Sequence, residues 1–89
     1  MKILVFGSGG AYAAYAEKYS EYFKNVDILA FADNSKEKQG QIFNGKPIIS
    51  PQEISQYCYD AILICSSYQE EIYEQLVTEF NIHKENIYT

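Results

Sequence analysis

Near its start the chain runs through Ile3-Leu4-Val5-Phe6 and turns at once into Gly7-Ser8-Gly9-Gly10. An apolar run with no polar alternation suits a strand buried on both faces, as in a parallel sheet covered by helices. From Ala11 to about Lys24 the spacing becomes helical. Tyr12, Tyr15, Tyr19 and Tyr22 fall along one face, while Glu17, Lys18 and Glu21 lie mostly off it. Strand, glycine turn and helix in that order build an anion site in doubly wound α/β domains. The glycines let backbone approach a pyrophosphate, and the helix turns its free N–H groups and positive dipole end toward it.

The rest of the chain continues the alternation. Asp27 to Asp33 reads as a second strand, followed by the polar connection Asn34 to Gly40. Asn44-Gly45 is a turn signal, and Lys46 to Ile49 is a short third strand after it. Ser50-Pro51-Gln52-Glu53 starts a brief helix ending near Tyr59, with Ser50 as cap and Glu53 completing a capping box. Ala61 to Cys65 is a fourth, central strand, Tyr68 to about Phe80 a helix, and Glu85 to Tyr88 a short last strand. The expected fold class is therefore α/β: a small, open, mostly parallel sheet ordered 3-2-1-4-5, with helices on both faces. No helix is visible between Asp33 and Lys46, so an irregular crossover and a short edge strand are expected there. Eighty-nine residues make one domain, 1–89.

In such a sheet a ligand binds beyond the carboxyl ends of the strands, where the strand order reverses. The residues arriving there are Gly7 to Ala11, Asp33 and Asn34, and Ser66 and Ser67. Gly7 and Gly9 allow the tight turn, and Ser8, Gly10 and Ala11 offer N–H groups to phosphate. Asp33 follows Gly10 by 23 positions, near the distance at which an acid accepts hydrogen bonds from a ribose. Ser66 and Ser67 are candidates for phosphate or sugar hydroxyls. Each has a plainer alternative: glycines serving only the turn, Asp33 and Asn34 capping a turn, and the serines capping the next helix. Tyr12 departs from the dinucleotide fingerprint, which has a small residue there. It is expected to push the helix outward or swing toward the pocket.

Other features narrow the function. The net charge of −5 offers no basic patch and argues against nucleic acid. Cys58 and Cys65 lack the spacing of a zinc site, and Cys65 reads as a buried, reduced thiol. The lone histidine, His83, sits in a polar loop. No signal peptide and no membrane-spanning run is visible, so no membrane insertion is expected and a reducing cytoplasm is the default compartment. No nucleophile–base pair appears, and no tyrosine has a lysine four positions on. Catalysis by this chain alone is not expected.

Phe6-Gly7-Ser8-Gly9-Gly10, Phe31-Ala32-Asp33-Asn34, Gly45-Lys46-Pro47-Ile48-Ile49-Ser50-Pro51-Gln52-Glu53 and Tyr59-Asp60-Ala61-Ile62-Leu63-Ile64 follow one another in an order that carries a resemblance. Together they resemble the small Rossmann-like N-terminal domain of bacterial surface-polysaccharide proteins. That domain precedes sugar acyltransferases, nucleotide-sugar epimerases and dehydratases, methyltransferases and some glycosyltransferases. The resemblance implies a nucleotide sugar or a dinucleotide such as NAD(P), bound at Gly7, Ser8, Gly9 and Gly10 with Asp33 on the ribose. It also implies that chemistry sits in a covalently linked catalytic domain, with this chain as the N-terminal part of a larger protein or a stand-alone remnant. The alternative is a scaffold that has lost its ligand and serves protein interaction or homo-oligomerisation.

Overall fold

A computed structural model describes all residues from Met1 to Thr89. Six strands form one sheet: β1 (Lys2–Phe6), β2 (Asp27–Ala32), β3 (Ile42–Phe43), β4 (Lys46–Ile49), β5 (Ala61–Ile64) and β6 (Ile87–Tyr88). Three α-helices accompany them: α1 (Gly10–Lys18), α2 (Ser20–Lys24) and α3 (Gln69–Thr78). The strand order is β3-β4-β2-β1-β5-β6. This corrects the expected 3-2-1-4-5, because a sixth strand, β3, is added at one edge. β3 pairs antiparallel with β4 through Ile42↔Pro47 and Phe43↔Lys46, and every other neighbouring pair is parallel.

The extra strand follows from the turn at Asn44-Gly45. Both residues have positive φ, 52° and 79°, the pairing that twists a two-residue hairpin correctly. Pro47, which has no N–H to donate, sits at the ladder's margin. The crossover from β2 to β4 contains no helix. Its polar backbone is satisfied by turns instead: Gln39 N–H donates to Ser35 O, Gly40 N–H to Ile48 O, and Ile48 N–H to Gln41 O.

Two further expectations are adjusted. The helix expected over Ala11–Lys24 is interrupted at Tyr19 (φ −115°, ψ 42°), which ends α1 and starts α2; no glycine or proline marks the break. The brief helix after Ser50 is a 3₁₀ segment, Pro51–Gln56, and its serine makes no cap to backbone. Ser50 Oγ instead donates to the Glu53 carboxylate at 3.2 Å.

The sheet is covered on both faces. On one, Leu4, Phe6, Ile62 and Ile64 pack against Ile72 and Leu76 of α3. On the other, Ile3, Val5, Phe31 and Leu63 pack against Tyr12, with Tyr15, Tyr22 and Phe23 of α1 and α2 beside them. The alternation along each strand explains why β1 and β5 are apolar at almost every position. The register then places the site. Phe6 pairs with Ala32 on one side and with Ile64 on the other. Gly7, Asp33 and Cys65 therefore leave the sheet side by side.

Candidate functional site at the carboxyl edge of the sheet

Gly7 is the hinge of this edge. Its φ is +119°, and a Cβ there would stand 2.2 Å from the carbonyl oxygen of Cys65. Its N–H donates to Ala32 O at 2.8 Å, while Cys65 N–H donates to Phe6 O at 2.9 Å. Only a glycine lets three strand ends meet this closely. Gly9 and Gly10 differ. A Cβ on Gly10 would meet nothing within 4 Å, and one on Gly9 only the Lys38 ammonium at 3.6 Å. Their bare backbone faces open space.

Gly9 caps α1 without a side-chain bond. The N–H groups of Gly9, Gly10 and Ala11 donate to no protein acceptor. Three free donors thus converge at the positive end of a nine-residue helix. The Lys38 ammonium, carried by the crossover, stands over the same turn.

Ser8 and Asp33 are locked together. Ser8 is buried, its Oγ donates to Asp33 Oδ2 at 2.6 Å, and its N–H donates to the same oxygen at 3.2 Å. Ser35 N–H donates to Asp33 Oδ1 at 2.9 Å. Burial alone would raise the Asp33 pKa, but the bonds from Ser8 and Ser35 and the nearby Lys38 charge outweigh it and hold the carboxyl below its ordinary value. Ser8 N–H is therefore engaged by the protein itself. Asp33 Oδ1 keeps one lone-pair direction for an outside donor.

A cleft of about 440 Å³ opens beside this cluster. Its walls include Gly7, Asp33 and Asn34 from one side and Ser66, Tyr68 and Gln75 from the other. Ser66 Oγ accepts the N–H of Tyr68 at 3.1 Å, so it serves the start of α3 from within the cleft. Ser67 is exposed and does not line the cleft. Asn34 and Gln75 exchange two hydrogen bonds, at 3.0 and 2.9 Å. A cleft of this size falls in the range that holds small ligands.

Tyr12 does not enter the cleft. It is buried on the opposite face, edge-on to Phe23, Phe31 and Phe43, and its hydroxyl accepts from Asn44 Nδ2 at 3.2 Å. The large side chain where the fingerprint has a small one is thus a core residue. No group of three or more His, Cys, Asp or Glu side chains is placed to hold a metal ion, and no helix is long and apolar enough to cross a membrane.

The model of the C2185-like, N-terminal family matches residues 1–88. The chain belongs to that family. No curated protein matches it in sequence. Among solved structures, it is similar to the UDP-D-quinovosamine 4-dehydrogenase from Vibrio fischeri: TM-score 0.65, 21% identity, covering 91% of this chain and 72% of that one. It is also similar to RSP, solved in complex with β-NADH, at TM-score 0.62 and 15% identity over 85% of this chain and 40% of that one. RSP in complex with β-NAD+ and operator DNA gives the same TM-score and identity, and there the match spans 38% of the solved chain. These likenesses establish a Rossmann-like fold.

Three residues at this edge were not legible as site candidates in the sequence. Lys38 lies in a polar connection with no motif around it. Tyr68 stands just before α3, and Gln75 flanks the apolar stripe of Ile72 and Leu76, which reads as core. The one available signal for Gln75 is its spacing, three residues after Ile72 and so on the same side of the helix, where Ile72 also lines the cleft.

Proposed function

We propose that this chain binds a nucleotide carrying a diphosphate, NAD(H) or a nucleotide sugar, with the diphosphate over the start of α1 and the nucleoside in the adjacent cleft. The observation that carries this reading is the trio of unpartnered N–H groups at Gly9, Gly10 and Ala11 beneath two glycines whose missing side chains leave open space. Lys38 adds a positive charge over the turn, and Asp33 Oδ1 retains an acceptor for a ribose hydroxyl. The NADH complex of one structural neighbour and the nucleotide-sugar substrate in the name of another support the ligand class. The sequence resemblance supports a place in surface-polysaccharide or glycan assembly in the cytoplasm, with the chemistry supplied by a linked domain.

A second reading is a scaffold without ligand, used for association between chains. It is favoured by the saturation of Asp33 Oδ2 by Ser8 and by the exposed rings of Tyr19 and Tyr88.

The test is ligand-induced stabilisation of the chain by NADH, NADPH and UDP-, GDP- and dTDP-sugars, compared with Gly10→Asp. A ligand at 100 times its Kd stabilises by about 2.7 kcal/mol, a rise of roughly 10 °C or more for so small a domain. An aspartate at this position finds open space and suits the helix dipole, so the fold persists. Its charge repels a diphosphate, and the thermal shift is expected to vanish. Retained binding by Gly10→Asp would move the diphosphate elsewhere. No stabilisation by any nucleotide would leave the second reading.

A further inference from the structure

Charge divides the carboxyl edge into two parts. Over the glycine turn stand free N–H groups and the Lys38 ammonium. The cleft beside it is walled by the carboxyl groups of Asp33 and Glu71. A phosphate is attracted to the first and repelled by the second. Gly7 belongs to both. If the proposed ligand puts its diphosphate over the turn, the uncharged nucleoside is the part that extends into the cleft.

The cleft wall carries the groups such a nucleoside needs. Tyr68 is 65% exposed, pairs with no other aromatic ring, and lines the cleft at the start of α3. Every nucleobase has a π-face that stacks on such a ring. Across the same cleft Asn34 and Gln75 hold each other by two hydrogen bonds. Each carboxamide keeps one further N–H and one further lone pair. Carboxamides of this kind recognise base edges that present a donor beside an acceptor. The pairing also ties the end of β2 to α3, which fixes the width of the cleft before a ligand arrives.

We infer that Tyr68 stacks on the base of the bound nucleotide and that the Asn34–Gln75 pair reads the edge of that base. This rests on the nucleotide-binding reading above. It adds two elements that the phosphate contacts do not use.

Calorimetric titration with ADP, UDP and inorganic pyrophosphate tests it on the wild-type chain and on Tyr68→Ala, Tyr68→Phe and Gln75→Leu. Tyr68→Ala is expected to weaken ADP on the order of 5- to 150-fold, the range for losing one base–aromatic stack, and UDP in the same direction. Pyrophosphate affinity should stay unchanged, and Tyr68→Phe should restore nucleotide affinity to within about twofold. Gln75→Leu should alter the ratio of ADP to UDP affinity and leave pyrophosphate alone. Tyr68 is largely exposed, so its variants keep the wild-type circular dichroism spectrum and Tm. If the wild-type chain binds ADP or UDP and Tyr68→Ala binds them equally well, this inference is wrong and the nucleotide site stands. If the wild-type chain binds none of the three probes, both fall.

Discussion

Two glycines three residues apart should respond to the same substitution with opposite signs. At Gly7 an alanine meets two penalties. The first is the backbone conformation: φ of +119° lies in a region essentially reserved for glycine, costing a residue with a side chain about 1–3 kcal/mol. The second is contact. The new Cβ would stand 2.2 Å from Cys65 O, below the 3.0 Å that real Cβ atoms respect. That oxygen is backbone at the end of a paired strand, so relief requires β5 to draw away from β1. Such a movement weakens the bond from Cys65 N–H to Phe6 O across that seam, which contributes about 0.5–1.5 kcal/mol. Together these make a loss of about 1.5–4.5 kcal/mol. A chain of 89 residues has a total stability of roughly 4–13 kcal/mol, so much of the folded population is at stake. At Gly10 an alanine meets no atom within 4 Å and no positive φ. It replaces glycine inside the first turn of a helix, a gain of about 0.5–1 kcal/mol. Urea unfolding followed by far-ultraviolet circular dichroism reads both variants, with an unchanged slope as the control for two-state behaviour. A loss below about 1 kcal/mol for Gly7→Ala would refute the reasoning, as would a destabilised Gly10→Ala.

The remaining predictions concern charge and thiols. Asp33 titrates below its ordinary value in the folded chain, so its contribution to stability is complete above the unfolded pKa of about 3.9 and disappears as pH falls through the folded one. The stability difference between wild type and Asp33→Asn, about 1–2 kcal/mol near neutrality, should hold from pH 7 to 5 and shrink below pH 4; a difference that grows on acidification contradicts the Ser8–Asp33–Ser35 assignment. Burial pushes the Cys65 thiol up to about 12, whereas Cys58 is exposed. A disulfide reagent at pH 8 should therefore modify one thiol per folded chain promptly and the second only at the rate of unfolding; two equally fast thiols would place Cys65 outside the core.

What the sequence discloses here is set by how local each cause is. β1 and β5 are legible because Ile3-Leu4-Val5-Phe6 and Ala61-Ile62-Leu63-Ile64 are buried on both faces, so burial acts on every residue of the run. β3 is not, because it is two residues long and Ile42 is 70% exposed; its pairing is imposed by the turn at Asn44-Gly45 rather than by its own composition. The glycine turn shows the same division. Gly7 is visible as a turn residue, yet the reason it must be glycine is the carbonyl of Cys65, 58 positions away in sequence.

Tyr12 extends this argument to function. By spacing alone it stands where a tight dinucleotide turn has a small residue, which argues against a site. In the fold its ring is taken up by Phe23, Phe31 and Phe43 and its hydroxyl by Asn44, all on the sheet face away from the cleft. Phe43 and Asn44 belong to the hairpin that replaces the missing crossover helix. The irregular connection and the irregular tyrosine are therefore one feature: the hairpin fills the space beside α1 that the large side chain needs. The same connection carries Lys38 over the glycine turn. An apparent departure from the fingerprint at Tyr12 thus leaves the N–H groups of Gly9, Gly10 and Ala11 open, and the loop that accommodates it brings a positive charge to them.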